Sequence, residues 1–360
     1  MMTSIKATGR PTYPRRKRHF DARACDQHVC GKYRDCVAYG HRHEQGANES
    51  ERHAEADDPC LPAIGGHRPP VAPGVLPCEP MLKQSDKVGD VMMTQPRFDG
   101  KVVIVTGAAG GMGLGYALHL AKLGADVGIF DKDLDAGKRN SEYDADSVAD
   151  AIKALGRRVV AVQADLSNRA EAQSAVEKVA RELGPIDTIV NNAGGAITPA
   201  DRSYATNSPD DDIELLIKVN FLSAVYCCQA AVPLMTTPGG AIVNIITFGA
   251  FAGDSHGKYA VYSAAKAALL TYTRHLAVEL GPVGIRANCI APGLIHTPRV
   301  AAAAAARGMG TNDQTSGIPL RRFGKVDDMV GAVEFLGSDM SAYITGECIR
   351  VTGGLGLISL

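Results

Sequence analysis

The sequence lacks tryptophan altogether, and aromatic residues make up only 5% of its 360 positions. So few rings weigh against a protein that binds nucleic acid by stacking on its bases. The formal net charge is only -1, so no strong overall field attracts nucleic acid or an anionic membrane. The chain also lacks an unbroken stretch of about 18 apolar residues, the usual sign of a transmembrane helix. We therefore expect neither nucleic acid nor membrane as a partner.

The first 96 residues differ in composition from the rest of the chain. They hold 10 of the 19 prolines, 5 of the 9 cysteines and 6 of the 10 histidines, without helical or strand periodicity. A basic run at 15–18 could form a nucleic-acid patch, and Cys25, Cys30 and Cys36 with nearby histidines could form a zinc site. The spacing C-x4-C-x5-C lacks the paired knuckle of most zinc sites, so we favour solvated charges, scattered thiols and no metal.

Met92 and Met93 stand directly before the first predicted strand, as a natural start would. We expect residues 1–92 to be disordered or dispensable, which an upstream start codon assigned in error would explain. The basic run is followed by Phe20-Asp21-Ala22-Arg23 and not by an apolar stretch, so we do not expect a signal peptide. We thus expect a cytoplasmic protein with reduced thiols packed in its core, at Cys227, Cys228, Cys289 and Cys348.

From residue 101 onward, short apolar runs rich in β-branched residues alternate with helical segments. Apolar strands separated by helices indicate a parallel sheet covered on both faces. Right-handed crossovers make it a doubly wound, Rossmann-like α/β sheet in a single domain, 97–360. The predicted strands are 101–106, 126–130, 158–163, 186–190, 241–246, 285–290 and 346–352. The predicted helices are 111–124, 145–156, 167–183, 209–235, 258–280 and 326–337.

A glycine-rich turn, 106–113, joins the first strand to the first helix. Such glycines allow a tight turn and close approach of a pyrophosphate to the helix N-terminus. Asp131 ends the second strand, 20 residues beyond Gly111. An acidic group there accepts hydrogen bonds from an adenosine ribose and repels a 2′-phosphate, which favours NAD over NADP. The alternative for Asp131 is a helix N-cap, and the adjacent Lys132 softens the cofactor preference.

Five motifs in order make the chain from about residue 97 to 360 resemble the short-chain dehydrogenase/reductase family. They are T-G-x-x-x-G-x-G at 106–113, the aspartate of A-D-L at 164–166, N-N-A-G at 191–194, Y-x-x-x-K at 262–266 and P-G-x-x-x-T at 292–297. The resemblance implies hydride transfer between a nicotinamide dinucleotide and an alcohol or ketone. The dinucleotide-binding residues that it implies are Thr106, Gly107, Gly111, Met112, Gly113, Asp131, Asp165, Leu166, Asn192, Ala193, Gly194, Tyr262, Lys266, Pro292, Gly293, Ile295 and Thr297.

Tyr262 and Lys266 stand four residues apart, so they share one helix face. A phenol with a pKa of about 10 is a poor base at neutral pH, but a nearby ammonium favours the phenolate. The resemblance implies that Tyr262 takes the hydroxyl proton of the substrate and that Lys266 also holds the nicotinamide ribose. It further implies that Asn220 holds a water linking Lys266 to solvent; an ordinary helical asparagine is the alternative.

The family usually places a serine three residues after the asparagine of its fifth strand, where this chain has Thr247. Thr247 still supplies a donor and an acceptor that can orient the substrate oxygen. It precedes Tyr262 by 15 residues, more than is usual for the family, so we expect an enlarged loop between them. Ser255, within that loop, is the alternative hydroxyl.

The substrate pocket is expected to be apolar, with Phe248, Phe251 and Leu294 as walls, and no arginine cluster marks a phosphate handle. We therefore expect a neutral secondary alcohol, apolar or cyclic. Residues 295–320 fill the place of the family's mobile lid, and the alanine run 301–306 favours a helix there.

The leading hypothesis is an NAD-dependent alcohol dehydrogenase. The resemblance also implies a homo-oligomer, most simply a tetramer, that pairs through helices 209–235 and 258–280. Two alternatives stay open: an NADPH-dependent ketoreductase on the same fold, and a non-catalytic regulator that senses dinucleotides. The presence of Asn220, Tyr262 and Lys266 argues against the regulator.

Overall fold

The structure is a computed structural model that describes residues 98–139, 141–253, 257–302 and 315–357. These residues belong to one compact unit, Asp86–Leu360. The expectations for residues 1–96, for Ser255 and for positions 303–314 of the lid lie outside the described residues.

Seven strands form one parallel sheet, and their positions agree closely with the predicted ones. They are β1 Val102–Thr106, β2 Asp126–Asp131, β3 Val159–Gln163, β4 Thr188–Asn191, β5 Ala241–Ile245, β6 Arg286–Pro292 and β7 Cys348–Val351. Their order across the sheet is β3-β2-β1-β4-β5-β6-β7, and every pair is parallel. The predicted doubly wound parallel sheet is confirmed.

Helices cover both faces of this sheet. They are α1 Gly111–Lys122, α2 Ala136–Arg139, α3 Val148–Lys153, α4 Arg169–Leu183, α5 Asp210–Ile217, α6 Ser223–Ala231, α7 Ala260–Leu280, α8 Pro298–Ala302 and α9 Asp327–Gly337. Because successive strand residues point to opposite faces, Val103 packs with α1, α3 and α9, whereas Ile104 packs with α4, α6 and α7. The sheet is therefore buried between two apolar layers.

The predicted helix 209–235 is not a regular α-helix along its length. A π-helical turn, Lys218–Leu222, separates α5 from α6, and a 3-10 turn, Val232–Leu234, follows α6. Among the described residues, the stretch Asp210–Leu234 is long and apolar enough to cross a membrane by length and composition, with mean hydropathy 1.6. Helices in the core of an α/β fold pass the same test, and α6 packs against α4 beside the sheet.

The strand order fixes where a ligand can bind. The chain builds β1 to β3 toward one edge of the sheet and then crosses back to build β4 to β7 toward the other. In doubly wound sheets, ligands bind at the carboxyl ends of the strands where this reversal occurs. Between β1 and β4, the reversal brings the glycine turn beside the N-N-A-G segment.

Candidate active site

A cleft of about 1140 Å³ opens at this end of the sheet. The loops that follow β1 to β6 and the first turn of α7 line it. Of the predicted site residues, those that line the cleft are Gly107, Gly111, Met112, Asp131, Asp165, Leu166, Asn192, Ala193, Gly194, Thr247, Tyr262, Pro292, Gly293, Ile295 and Thr297. The other four, Thr106, Gly113, Asn220 and Lys266, are not lining residues.

The glycine turn has a backbone that other residues rarely adopt. Gly107 and Gly111 have φ angles of 63° and 58°, in the left-handed region. A Cβ atom at Gly113 would overlap the carbonyl oxygen of Gly107, so α1 can approach the turn only with glycine there. Gly110 precedes α1 and gives it no side-chain cap. This turn at the N-terminus of a helix fits the pyrophosphate of a dinucleotide.

The N-N-A-G segment fastens this turn to β4. Thr106 Oγ1 accepts hydrogen bonds from the backbone N–H groups of Asn192 (3.0 Å) and Ala193 (2.9 Å). The Asn192 side chain donates to the carbonyl oxygens of Thr106 (2.9 Å) and Gly107 (3.1 Å). Thr106 is buried. Thr106 therefore stabilises the glycine turn from within the protein and does not face the cleft.

Asp131 lies at the end of β2, and its carboxylate accepts hydrogen bonds from the backbone N–H groups of Ala109 (3.1 Å) and Asp133 (3.2 Å). Burial raises the pKa of Asp131, and these two hydrogen bonds oppose the rise. The helix N-cap alternative does not apply, because the next helix begins only at Ala136. The carboxylate is thus fixed beside the glycine turn.

Asp165 lines the same part of the cleft from the loop after β3. Its Oδ1 accepts hydrogen bonds from the backbone N–H (3.0 Å) and the hydroxyl (2.7 Å) of Ser167. The Ser167 hydroxyl holds the pKa of Asp165 below its usual value. Asp131 and Asp165 are therefore two carboxylates in one region, each held by its own loop.

Tyr262 lines the cleft from the first turn of α7, and Lys266 follows one turn later. Lys266 is only 3% exposed, and its ammonium donates to the carbonyl oxygen of Ile245 at 2.8 Å. Burial lowers the pKa of Lys266 to about 8. The structure thus places a buried lysine with a lowered pKa one helical turn from a phenol in the cleft.

A buried chain of hydrogen bonds fixes α7 against the sheet. The Asn191 side chain donates to Oδ1 of Asn244 at 2.8 Å, and the Asn244 side chain donates to Thr273 Oγ1 at 2.8 Å. Asn191 lies in β4, Asn244 in β5 and Thr273 in α7. Because buried polar groups need partners, this chain specifies how α7 sits against β4 and β5.

Asn220 is fully buried in the π-helical turn. Its Oδ1 accepts the N–H of Gly195 at 2.7 Å, and its Nδ2 donates to the carbonyl oxygens of Gly195 and Leu216, both at 3.1 Å. A Cβ atom at Gly194 would stand 2.5 Å from this Oδ1. With these three hydrogen bonds the side chain anchors the loop after β4 to the π turn.

Thr247 follows β5 and lines the cleft together with Tyr262. Its hydroxyl accepts the N–H of Gly249 at 3.3 Å and so caps a short 3-10 turn, Phe248–Ala250. Lys258, Tyr259 and Ser263 also line the cleft and are among the lining residues that the sequence analysis missed. Tyr259 stands just before α7, so the spacing along a helix face does not indicate it.

Tyr259 has a φ angle of 61°, in the left-handed region that bulky residues avoid. Two hydrogen bonds from the segment before α5 hold this start of α7. The Ser203 hydroxyl accepts the N–H of Tyr259 at 3.1 Å, and its carbonyl oxygen accepts the N–H of Ala260 at 3.2 Å. Such backbone strain clusters at functional sites.

The expected pocket walls are partly wrong. Phe248 and Leu294 line the cleft as expected, but Phe251 does not. Its ring is 43% exposed and lies under the guanidinium of Arg350, 5.9 Å from the ring centroid. The direction of this side chain depends on how the loop after β5 turns, which its apolar character does not reveal.

The segment after β6 closes one side of the cleft. Thr297 Oγ1 accepts the N–H of Val300 at 3.2 Å and so caps the start of α8. Ile295 pairs with Gly324 in an isolated bridge. The first residues of the expected lid therefore include a helix at Pro298–Ala302, which follows the bridge of Ile295 to Gly324.

The cysteines of the described residues are core residues, as predicted. Cys227, Cys228 and Cys289 are buried, and Cys348 is half-buried on β7 beside Cys289. Burial raises the pKa of Cys228 to about 12, so this thiol stays protonated. Within the described ranges, no group of three or more His, Cys, Asp or Glu side chains is placed to hold a metal ion.

Known proteins resemble this chain over most of its length. A family model described as enoyl-(acyl carrier protein) reductase matches residues 107–356. Cyclohexanol dehydrogenase from Rhodococcus sp. (strain TK6) is 40% identical over 264 residues, which cover 71% of this chain and 96% of that protein. L-rhamnose 1-dehydrogenase (NAD(P)(+)) from Sphingomonas sp. (strain SKA58) is 34% identical over 259 residues, which cover 71% and 96% respectively.

A solved structure shows the same similarity in three dimensions. A short chain dehydrogenase from Burkholderia cenocepacia J2315, in complex with NADP, is 34% identical to this chain. The TM-score is 0.63, and the match covers 72% of this chain and 99% of that one. The similarity therefore extends from the sequence motifs to the whole fold.

Proposed function

The chain belongs to the short-chain dehydrogenase/reductase family, and we propose that it is an NAD-dependent enzyme that oxidises secondary alcohols to ketones. The observation that carries this proposal is the common cleft. The glycine turn, Asp131, Thr247 and Tyr262 all line it, so a dinucleotide site and a proton acceptor open into one space.

The residues present fit a nicotinamide dinucleotide. Gly107, Gly111 and Met112 would hold its pyrophosphate, and Asp131 its adenosine ribose. Asp165 and Leu166 would contact the adenine. The segment Pro292–Thr297 would hold the carboxamide, with Ile295 and Thr297 lining the cleft. When bound, the nicotinamide ring supplies the acceptor for the hydride that leaves the alcohol carbon.

Tyr262 is the proposed catalytic base. Its phenolate accepts the hydroxyl proton of the alcohol as the C–H electron pair departs, which leaves a ketone. The Lys266 ammonium favours the phenolate by its charge. Thr247 orients the alcohol oxygen toward Tyr262. The π turn around Asn220 would hold a water through which the proton returns to solvent.

We propose NAD as the preferred cofactor on the strength of Asp131. A carboxylate fixed at the end of β2 accepts ribose hydroxyls and repels a 2′-phosphate. Lys132 also lines the cleft beside Asp131 and favours the second candidate function, an NADPH-dependent ketoreductase. Among the relatives, one is named for NAD(P)(+) and one structure contains NADP, which is in keeping with this second candidate.

The proposed substrate is a neutral secondary alcohol, apolar or cyclic. Apolar side chains line the same cleft as Tyr262, namely Ile197, Leu215, Val219, Phe248, Leu294 and Leu355. The relative named cyclohexanol dehydrogenase is in keeping with such a pocket. The cost of burying a charged substrate among these side chains favours an uncharged one.

We further propose that residues 97–360 form the catalytic domain of a cytoplasmic homotetramer. Only 39% of the apolar window in Asp210–Leu234 is buried, and Val278 of α7 is 81% exposed. Such apolar surface is suited to contact with another copy of the chain. Light scattering at micromolar concentration checks the tetramer, and a monomer would contradict it.

The test of the function is a panel of secondary alcohols, including cyclohexanol, assayed with NAD and with NADP. The reduced cofactor is followed by its absorbance. We expect turnover with NAD and a lower kcat/KM with NADP. Ketone reduction that runs only with NADPH would favour the second candidate function instead. No turnover with any alcohol, despite dinucleotide binding, would favour the regulator.

A further inference from the structure

An acidic side chain lies where the glycine turn would bind pyrophosphate. The backbone N–H of Gly111, the first residue of α1, donates to the Glu142 carboxylate at 2.6 Å. The other carboxylate oxygen is close to Gly110, where a Cβ atom would stand 3.0 Å from it. Glu142 also lines the cleft. A carboxylate at a helix N-terminus is stabilised by the same N–H groups and dipole that attract a phosphate.

The local fold directs Glu142 to this position. Helix α2 ends in a Schellman motif, in which Ser141 has a φ angle of 53°. The N–H of Ser141 donates to the carbonyl oxygen of Lys138, and the N–H of Glu142 donates to that of Gly137, both at 3.0 Å. Glu142 therefore follows a defined helix end and is not placed by an irregular loop.

Helix α2 is itself fastened to the glycine turn. The N–H of Gly137 donates to the carbonyl oxygen of Ala109 at 2.8 Å. A Cβ atom at Gly137 would overlap that same oxygen, so the two segments approach as closely as glycine allows. Asp131 holds the turn from the other side through the N–H of Ala109. These backbone contacts thus hold the Glu142 carboxylate next to the N-terminus of α1.

The negative charge around the glycine turn determines how the contact between Glu142 and Gly111 would affect a bound pyrophosphate. Among the described residues, Asp131, Glu142 and Asp165 line the dinucleotide part of the cleft, against one basic side chain there, Lys132. A pyrophosphate would bring two more negative charges to the N-terminus of α1. The Gly111 N–H cannot serve both anions, and like charges at such distances repel.

We propose that Glu142 is an affinity-determining residue of the dinucleotide site, which competes with the pyrophosphate for the N-terminus of α1. This proposal rests on the proposed function. The Glu142 carboxylate must leave the Gly111 N–H when a dinucleotide binds, so it lowers dinucleotide affinity. Because the pyrophosphate is common to NAD and NADP, Glu142 affects both alike, whereas Asp131 acts on the 2′ position and discriminates between them.

Calorimetric titration of the full chain with ADP-ribose and with adenosine tests this proposal. Glu142→Gln keeps the size and an acceptor oxygen but removes the charge. It should bind ADP-ribose about 10-fold more tightly than the unaltered chain. Its affinity for adenosine, which carries no phosphate, should not change. Its Tm without ligand should be lower by roughly 1–3 °C, because a helix N-terminus loses a carboxylate.

Asp144→Asn is the matched control, since Asp144 is exposed two positions away and the charge change is the same. It should leave ADP-ribose affinity unchanged. The ratio of NAD to NADP affinity should stay constant in Glu142→Gln. Unchanged or weaker ADP-ribose binding in Glu142→Gln overturns the proposal, and so does an equal gain in Asp144→Asn or an equal gain for adenosine. If ADP-ribose binds none of the three chains, the proposed function itself fails.

Discussion

The Lys266 ammonium lies 2.8 Å from the carbonyl oxygen of Ile245, the last residue of β5. Two positions later, Thr247 lines the cleft, so one hydrogen bond ties the buried cation to the strand that leads into the active site. Burial of an ammonium is unfavourable for folding, which is why the pKa of Lys266 falls to about 8. The catalytic role that we propose for Lys266 and the stability of the fold therefore have opposing requirements.

Replacement of Lys266 by Met should stabilise the protein at neutral pH while it abolishes turnover. Methionine fills similar space without a charge, so the free energy of unfolding should rise by about 2 kcal/mol at pH 7. The folded chain releases the Lys266 proton near pH 8, and the unfolded chain near its ordinary value of 10.5. Between these values the unfolded state holds more protons, so the stability contribution of Lys266 rises with pH.

The advantage of Lys266→Met should therefore shrink between pH 8 and 10.5. Urea unfolding of both proteins at several pH values, without dinucleotide, measures it. If the variant is less stable than the unaltered chain at pH 7, burial of the Lys266 ammonium does not destabilise this fold.

Tyr262→Phe should lower kcat by about 10²–10⁴-fold, the usual contribution of general-base catalysis. The dinucleotide should still bind, because the phenol oxygen is not needed to hold it. Steady-state rates, combined with NADH binding by fluorescence, separate the two effects. Turnover close to that of the unaltered enzyme, with the cofactor bound, would place the base at another residue.

Asp131→Asn should reduce the preference for NAD by roughly 10-fold, because the repulsion of a 2′-phosphate is lost. The ratio of kcat/KM for NAD to that for NADP measures the effect. Asp165→Asn is the matched control, since it removes one carboxylate from the same part of the cleft. That variant should leave the ratio unchanged. Equal shifts in both variants would mean that general charge, and not Asp131, sets the preference.

Thr247→Val should lower kcat less than Tyr262→Phe does, because it removes positioning and leaves the proton acceptor in place. Thr247→Ser keeps the hydroxyl and should retain most of the activity. Ser263 also lines the cleft close to Gly249, so Ser263→Ala is the comparison. If Ser263→Ala costs more rate than Thr247→Val, the orienting hydroxyl belongs to Ser263.

The order of residues along the chain is enough to predict the sheet and the place of its binding motifs. Strands that are apolar on both faces are buried only between two layers of helices, so composition and alternation indicate the doubly wound order. Gly107 and Gly111 predict a tight turn, because glycine adopts a positive φ more easily than other residues. Both have a positive φ in the structure. These features are local, because each depends on the chemistry of a few adjacent residues.

Which side chains share the cleft could be seen only in the folded chain. The Asn220 carboxamide hydrogen-bonds to Gly195, 25 residues away, and the Phe251 ring packs under the guanidinium of Arg350, outside the cleft. Glu142 reached Gly111 across 31 positions because α2 packs against the glycine turn. Nothing in the neighbouring residues specifies such contacts. They follow from the packing of whole elements against one another, which fixes side-chain directions that no local pattern encodes.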